Sequence, residues 1–482
     1  MSATARANPH TMQPGIPGVL GVRALTLALV WLTVASGAIV FNEPAPVDVL
    51  TMGLILALPV AGLVSVPPLL LGMLSAWLVL AAAGFIAANQ SFELHKSTVH
   101  AVISLYLYLA AFIFAAFVAN RAEFNTRFIL HAYLWAAFIG SVAGVLGYFD
   151  ALPGASELFT KYSRAAGTFK DPNVFGAFLV PACIYALHLV VTRPLWRAAV
   201  PGLMLLFLTL AITLSFSRGA WINLAVSALI YGYLSFCTAR THIFRAKLIC
   251  MAAFALLALG GVLALALQNP EIADRMADRA SLTQSYDVGP EGRFGGHLRA
   301  QRLIIDNPVG IGALQFSPRH HGEDVHQVYL NMFLNTGWTG GLIYAALVLL
   351  TVIIGLSHAL RRTSTQPLFI VIYAAFIGVA LEGLIIDTDH WRHFYLLMAL
   401  LWGLMAAPRD AAPAAPRSHS ITVPGRGPGR GPRIVLPGVR LLGPQRPPRI
   451  IGRARRSLPR IAPSPRRLAP ERPRRPERIT YR

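Results

Sequence analysis

The sequence predicts an all-α protein that crosses a membrane about twelve times, and three observations lead there. Of 482 residues, 55% are hydrophobic and only 13% charged, and the mean hydropathy is +0.56, values outside the range of soluble globular domains. Apolar runs of about twenty residues, the length that spans a bilayer, recur with short polar breaks. No segment alternates apolar and polar residues for long enough to argue for a barrel.

Taken in order, the runs cover 19–41, 47–65, 68–88, 98–119, 128–149, 173–192, 198–215, 220–237, 248–267, 327–357, 367–385 and 391–407. Only Val64–Pro68 (VSVPP) divides the second from the third, so a single re-entrant hairpin is the alternative there. The first run follows Arg6, contains Arg23 and lacks a small-residue cleavage site; with many spans behind it, it reads as a retained signal anchor. Residues 1–18 then form a short leading segment, 19–407 the membrane domain and 408–482 a tail.

Basic residues orient the chain. Arg121 and Arg127, Arg193 and Arg197, Arg240, Arg245 and Lys247, and Arg361 and Arg362 fall on alternate turns, which together with the tail puts both termini in the cytoplasm. The opposite side receives Asn89–Ser97, Asp150–Pro172, the turn Ser215–Gly219, the long loop Gln268–His326 and the short turn Asp387–His393.

The formal net charge of +21 suggests nucleic acid until it is located. Residues 408–482 hold 19 arginines against 3 acids, in runs such as GRGPGRGPR and RPRRPER. So few apolar residues predict disorder, and the near absence of aromatics for base stacking favours contact with anionic lipid over RNA. Cys183, Cys237 and Cys250 are widely spaced in or beside apolar runs and imply neither a disulfide framework nor a metal motif.

Residues suited to chemistry gather on the non-cytoplasmic side. In Tyr162–Asn173 (YSRAAGTFKDPN), Asp171 reads as an N-cap with Pro172 at the first helical position. Arg164 and Lys170 beside that helix start suit an anion. In Leu214–Trp221 (LSFSRGAW), Arg218 lies at the membrane interface, where a guanidinium snorkels, pairs, or presents itself to an oxyanion. In the long loop, Asp274–Ala280 (DRMADRA) reads as an exposed amphipathic helix. Further on, Arg293, His297, Arg299 and Arg302 recur at three to four residues, so one helical face could carry several cations. The Gly/Pro turn NPVGIG behind them would fold the loop onto the membrane body, and a loop of this length is more often functional than not.

The loop re-enters hydrocarbon at Val325–Gly341 (VHQVYLNMFLNTGWTGG), with His326 at the lip. An interfacial anchor is the plain alternative for such a histidine. The cluster His320, His321, Glu323, Asp324 and His326 matches no zinc spacing, so no metal is expected; a histidine near carboxylates suits proton transfer. There is no P-loop, dinucleotide fingerprint or GxSxG elbow. Arginines from three loops plus one histidine, all near one interface, suit a large anionic lipid headgroup such as a diphosphate.

Three motifs in order, RAAGTFKDPNVFGAFL, SFSRGAWINL, and NPVGIGALQF followed by VHQVYLNMFLNTGWTGGLIY, resemble the O-antigen ligase/polymerase superfamily of bacterial membrane glycosyltransferases. The likeness covers Val19–Met405 and excludes the tail. It implies a GT-C-like fold in the bacterial inner membrane, with the active site and long loop (268–326) in the periplasm. It also implies metal-independent, inverting transfer of a glycan from undecaprenyl diphosphate to a sugar hydroxyl. In a ligase the acceptor is lipid A-core, the reading taken here; in a polymerase it is another glycan. Carried onto this chain, Arg218 and Arg293 would grip the diphosphate, with Arg164 and Lys170 as further candidates, and His326 would serve as base or hydrogen-bond donor. The family often has His-Asn where this chain has His326-Gln327. Two readings from other classes compete: a bicarbonate or small-solute transporter, and a scaffold whose tail recruits a partner.

Overall fold

A computed structural model of the chain describes residues 17–266, 268, 289 and 292–408. The expected leading segment (except 17–18), the DRMADRA helix and the basic tail beyond Pro408 lie outside the described residues.

Each of the twelve expected runs coincides with a helix: α1 Pro17–Ser36, α2 Pro46–Val60, α3 Pro68–Ala88, α4 Leu94–Asn120, α5 Ala122–Tyr148, α7 Pro172–Thr192, α8 Leu195–Leu214, α9 Arg218–Thr238, α10 His242–Ala266, α12 Val328–Ala359, α13 Gln366–Glu382 and α14 Arg392–Ala406. Seven of these, α3, α4, α5, α7, α8, α9 and α12, are long and apolar enough to cross a membrane, and α1, α2, α13 and α14 are shorter apolar helices. The protein is therefore a polytopic, largely helical membrane protein. The VSVPP segment separates two distinct helices, α2 and α3. Between α5 and α7 the chain adds a short helix, α6 (Ala155–Phe159), and a two-residue hairpin, β1 (Thr160–Lys161) against β2 (Arg164–Ala165). Such a brief hairpin is too short to leave a period-two signal.

Membrane helices gain no hydrophobic drive from meeting one another, so they pack closely through small residues. Where α14 crosses α4, a Cβ on Gly403 would stand 2.7 Å from the Ala115 carbonyl oxygen, and Ala111, Ala115, Ala116 and Ala119 are buried along α4. A polar clamp accompanies that apolar seam. Arg392 at the start of α14 donates to both carboxylate oxygens of Asp48 on α2, each at 2.7 Å, a bidentate pair.

The long loop ends in helix α11 (Arg293–Asp306) and one π turn, Ser317–His321. As expected, NPVGIG seats the loop on the bundle. Gly337 in α12 has φ 67° and ψ −172°, a region essentially closed to side-chain-bearing residues, and this break frees backbone groups in mid-helix. The loop supplies partners: Ile311 N–H donates to the Leu334 carbonyl and Trp338 N–H to the Pro308 carbonyl, both at 2.9 Å. Ser97 Oγ anchors the next turn by donating to the Ala313 carbonyl at 2.6 Å.

Candidate functional site

The expected site residues all lie at the end of the bundle where α9, α12 and α14 begin. His326 stands just before α12, half-buried, with φ 49°, a left-handed conformation uncommon outside glycine and often found at functional sites. Its neighbours hold it there. Gln327 is the N-cap of α12, its Oε1 accepting the Leu330 N–H at 2.9 Å, and the buried Val325 offers its carbonyl to His297 Nε2 at 2.9 Å.

Helix α11 lies against this turn. Its buried face carries Gly296 and Ala300, and a Cβ on Gly296 would meet His321 at 2.8 Å. Arg293 and His297 are half-buried on that side, whereas Arg299 and Arg302 are exposed. The four residues thus divide between two faces, because Gly296 and Ala300, which permit close approach, set which side turns inward. Burial, with the Arg293 charge second, holds the His326 imidazole below its ordinary pKa against the opposing pull of Asp324 and Glu323, which favours the neutral ring.

Arg218 opens α9. Ser217 caps that helix, its Oγ accepting the Ala220 N–H at 3.3 Å, so Arg218 occupies the first turn, where free N–H groups and the helix dipole favour an anion. Arg164 in β2 reaches the same turn: its Nε donates to the Ser215 carbonyl at 2.6 Å and its Nη2 to Asn173 Oδ1 at 2.7 Å. Asp171 caps α7 as expected, accepting from Asn173 N–H at 2.7 Å and Val174 N–H at 3.3 Å. Lys170 points elsewhere, into an exposed ion pair with Glu43 at 2.6 Å. Strand-like pairing of Val40 with Phe169 brings those two loops together.

The three central residues fall within one recognisable stretch. A sequence model of the family described as O-Antigen ligase matches residues 203–345, which include Arg218, Arg293 and His326. The match supports assignment of the chain to the O-antigen ligase/polymerase superfamily. Such an assignment supports glycosyl transfer involving a lipid-linked glycan. No curated protein matches the chain.

The candidate site extends beyond the matched stretch. Asp387, in the turn between α13 and α14, places Oδ2 3.8 Å from His326 Nδ1, too far for a hydrogen bond. Burial, with the neighbouring Asp389 next, raises the Asp387 pKa well above the usual carboxylate range. Asp389 goes the other way: burial alone would raise it, but the His100 hydrogen bond and the His390 charge hold it low.

Among the described residues, His100, Asp389 and His390 form one group with ligand-type atoms within 4.8 Å of one another. Their geometry is that of a packed cluster. The two imidazoles stack with centroids 4.0 Å apart and planes at 26°, so their in-plane lone pairs run nearly side by side and do not converge on one ion. His390 Nε2 lies 3.0 Å from Ser104 Oγ. A cation held by all three residues would require one ring to turn.

A cavity of about 300 Å³ opens beside Asp387. Glu43, Lys170, Asp171, His390 and Arg392 edge its polar parts, and Val34, Leu107, Phe114, Phe169 and Phe178 line apolar ones. Sequence reasoning named the 387–393 turn only as external. The carboxylate and histidine density of DTDHWRH was the available signal that it did more.

Proposed function

We propose that the protein is a periplasm-facing inner-membrane glycosyltransferase that moves a glycan from undecaprenyl diphosphate to a sugar hydroxyl, as an O-antigen ligase acting on lipid A-core. The observation that carries this reading is His326, held at the start of α12 with Asp387 Oδ2 3.8 Å from its Nδ1 and lying, with Arg218 and Arg293, inside the stretch that matches the ligase family.

The chemistry follows from the charges. With Nδ1 protonated toward Asp387, His326 Nε2 keeps a lone pair for the acceptor hydroxyl. The hydroxyl oxygen forms a bond to the anomeric carbon as the carbon–oxygen bond to diphosphate breaks, inverting configuration, and His326 takes the proton. The departing diphosphate gains charge, which Arg218 and Arg293 neutralise, the work a metal does in many soluble transferases. Arg164, which donates to Ser215 and Asn173, acts by holding the turn before Arg218, and Lys170 serves the cavity rim beside Glu43.

The test is complementation of a ligase-deficient bacterium, read by lipopolysaccharide gel profile. The native chain should restore polymer on core, while His326→Ala and Arg218→Ala, at normal membrane levels, should not. Restoration by either variant refutes the assignment. Loss of chain length in the gene's own host, with one repeat kept on core, would instead identify a polymerase. Uptake of labelled bicarbonate by proteoliposomes would favour a transporter.

A further inference from the structure

One ionisable side chain inside the bundle has no part in the chemistry above. Glu382 ends α13, only 4% exposed, and an acid buried at the end of an apolar helix is costly enough to suggest a role. Its Oε2 accepts from Asn223 Nδ2 at 2.7 Å, and Asn223 Oδ1 accepts from Ser227 Oγ at 3.0 Å. The latter two residues lie one turn apart on α9, and Gly378 on α13 leaves room for both, since a Cβ there would overlap Asn223 Oδ1 and Ser227 Oγ.

The other oxygen, Oε1, is buried and has no hydrogen-bond partner among the described residues. It covers the first turn of α9, where a Cβ on Gly219 would come within 2.7 Å of it. Gly219 follows Arg218. At the same end of α13, the Gly383 carbonyl accepts the Val328 N–H at 2.9 Å, two residues after His326, and Tyr329 OH donates to the Ala380 carbonyl at 2.7 Å. The last turn of α13 is thus bonded to the beginning of α12 and, through Glu382, to the beginning of α9.

We infer that Glu382 is a positioning residue: with Asn223 it sets the start of α9, and so Arg218, against the start of α12, and so His326. The inference rests on the glycosyl-transfer reading. Its basis is geometric: two catalytic groups on different helices need a common reference, and displacement by about 1 Å can cost on the order of 10²-fold in rate. Shape and the bond from Asn223 are what matter, so glutamine, which keeps an acceptor oxygen, should serve where alanine fails.

The experiment is a double-mutant cycle on the purified full chain, with kcat and KM measured for undecaprenyl-diphosphate-linked glycan. Arg218→Ala alone comes first; if it leaves transfer unchanged, the site reading itself fails. Given a loss there, Glu382→Ala should lower kcat/KM by about 10²-fold in the native background and by little in the Arg218→Ala background, because both act through one guanidinium. Glu382→Gln should retain activity to within about threefold. Asn223→Ala, which leaves Glu382 in place, provides the same cycle should Glu382→Ala not accumulate. Equal losses in both backgrounds, or a glutamine variant as damaged as alanine, would overturn the inference.

Discussion

His326 Nδ1 lies 3.8 Å from Asp387 Oδ2, and that relationship joins the end of the long loop to a turn some sixty residues further along the chain. In the proposed mechanism this contact closes to a hydrogen bond when substrate binds, and Asp387 then orients the imidazole. Asp387→Asn removes the carboxylate while keeping its size, so kcat should fall by about 10²–10³-fold, the loss typical of one charge-stabilising contact. Unchanged donor KM with reduced kcat, measured on purified protein, is the expected pattern.

The pH dependence follows from the depressed His326 pKa. A histidine whose folded pKa lies below its ordinary value stays neutral to lower pH, so the acid limb of kcat/KM should fall below about 6.5, the unperturbed histidine value. Arg293 is the largest charge contribution to that depression after burial. Arg293→Gln should therefore move the limb to higher pH, besides lowering the maximal rate. A limb that stays in place or moves down in the variant contradicts the assignment of His326 as the base.

Gln327 stands where the resembling family often has asparagine, and its side chain caps α12. Asparagine also caps well, whereas replacement of a cap by alanine costs about 1 kcal/mol. Gln327→Asn should leave both thermal stability and transfer near native values. Gln327→Ala should lower the unfolding temperature in detergent.

Gly337 and Gly310 meet where the loop seats on α12. A Cβ on Gly337 would lie 2.5 Å from the Val309 carbonyl carbon, and one on Gly310 would lie 2.7 Å from Gly337 N. Gly337→Ala adds backbone strain of about 1–3 kcal/mol to that overlap. Limited proteolysis should show faster cleavage between residues 293 and 326 in this variant, and activity should fall with loop release. Native-like protection would mean the seam tolerates a side chain.

Several features were legible locally. Twelve apolar runs could be counted because span length and hydropathy are properties of contiguous residues. The Asp171-Pro172 helix start was readable because a cap is satisfied within three residues. NPVGIG announced a close approach, although its partner, the break at Gly337, could be found only in three dimensions. The spacing of Arg293, His297, Arg299 and Arg302 announced a helix but not which side of it turned inward.

By itself, then, the sequence determined the membrane class, the positions of the helices and the identity of the residues with chemical capacity, among them Arg218, Arg293 and His326. All of these depend on short-range composition and spacing. Tertiary structure alone decided which of them share an environment. It brought Asp387 to His326, turned Lys170 to Glu43, stacked His100 on His390 and set Glu382 over Gly219. The physical reason is that helix contacts in a membrane depend on where small residues let backbones approach, and hydropathy carries no record of which helix will stand opposite.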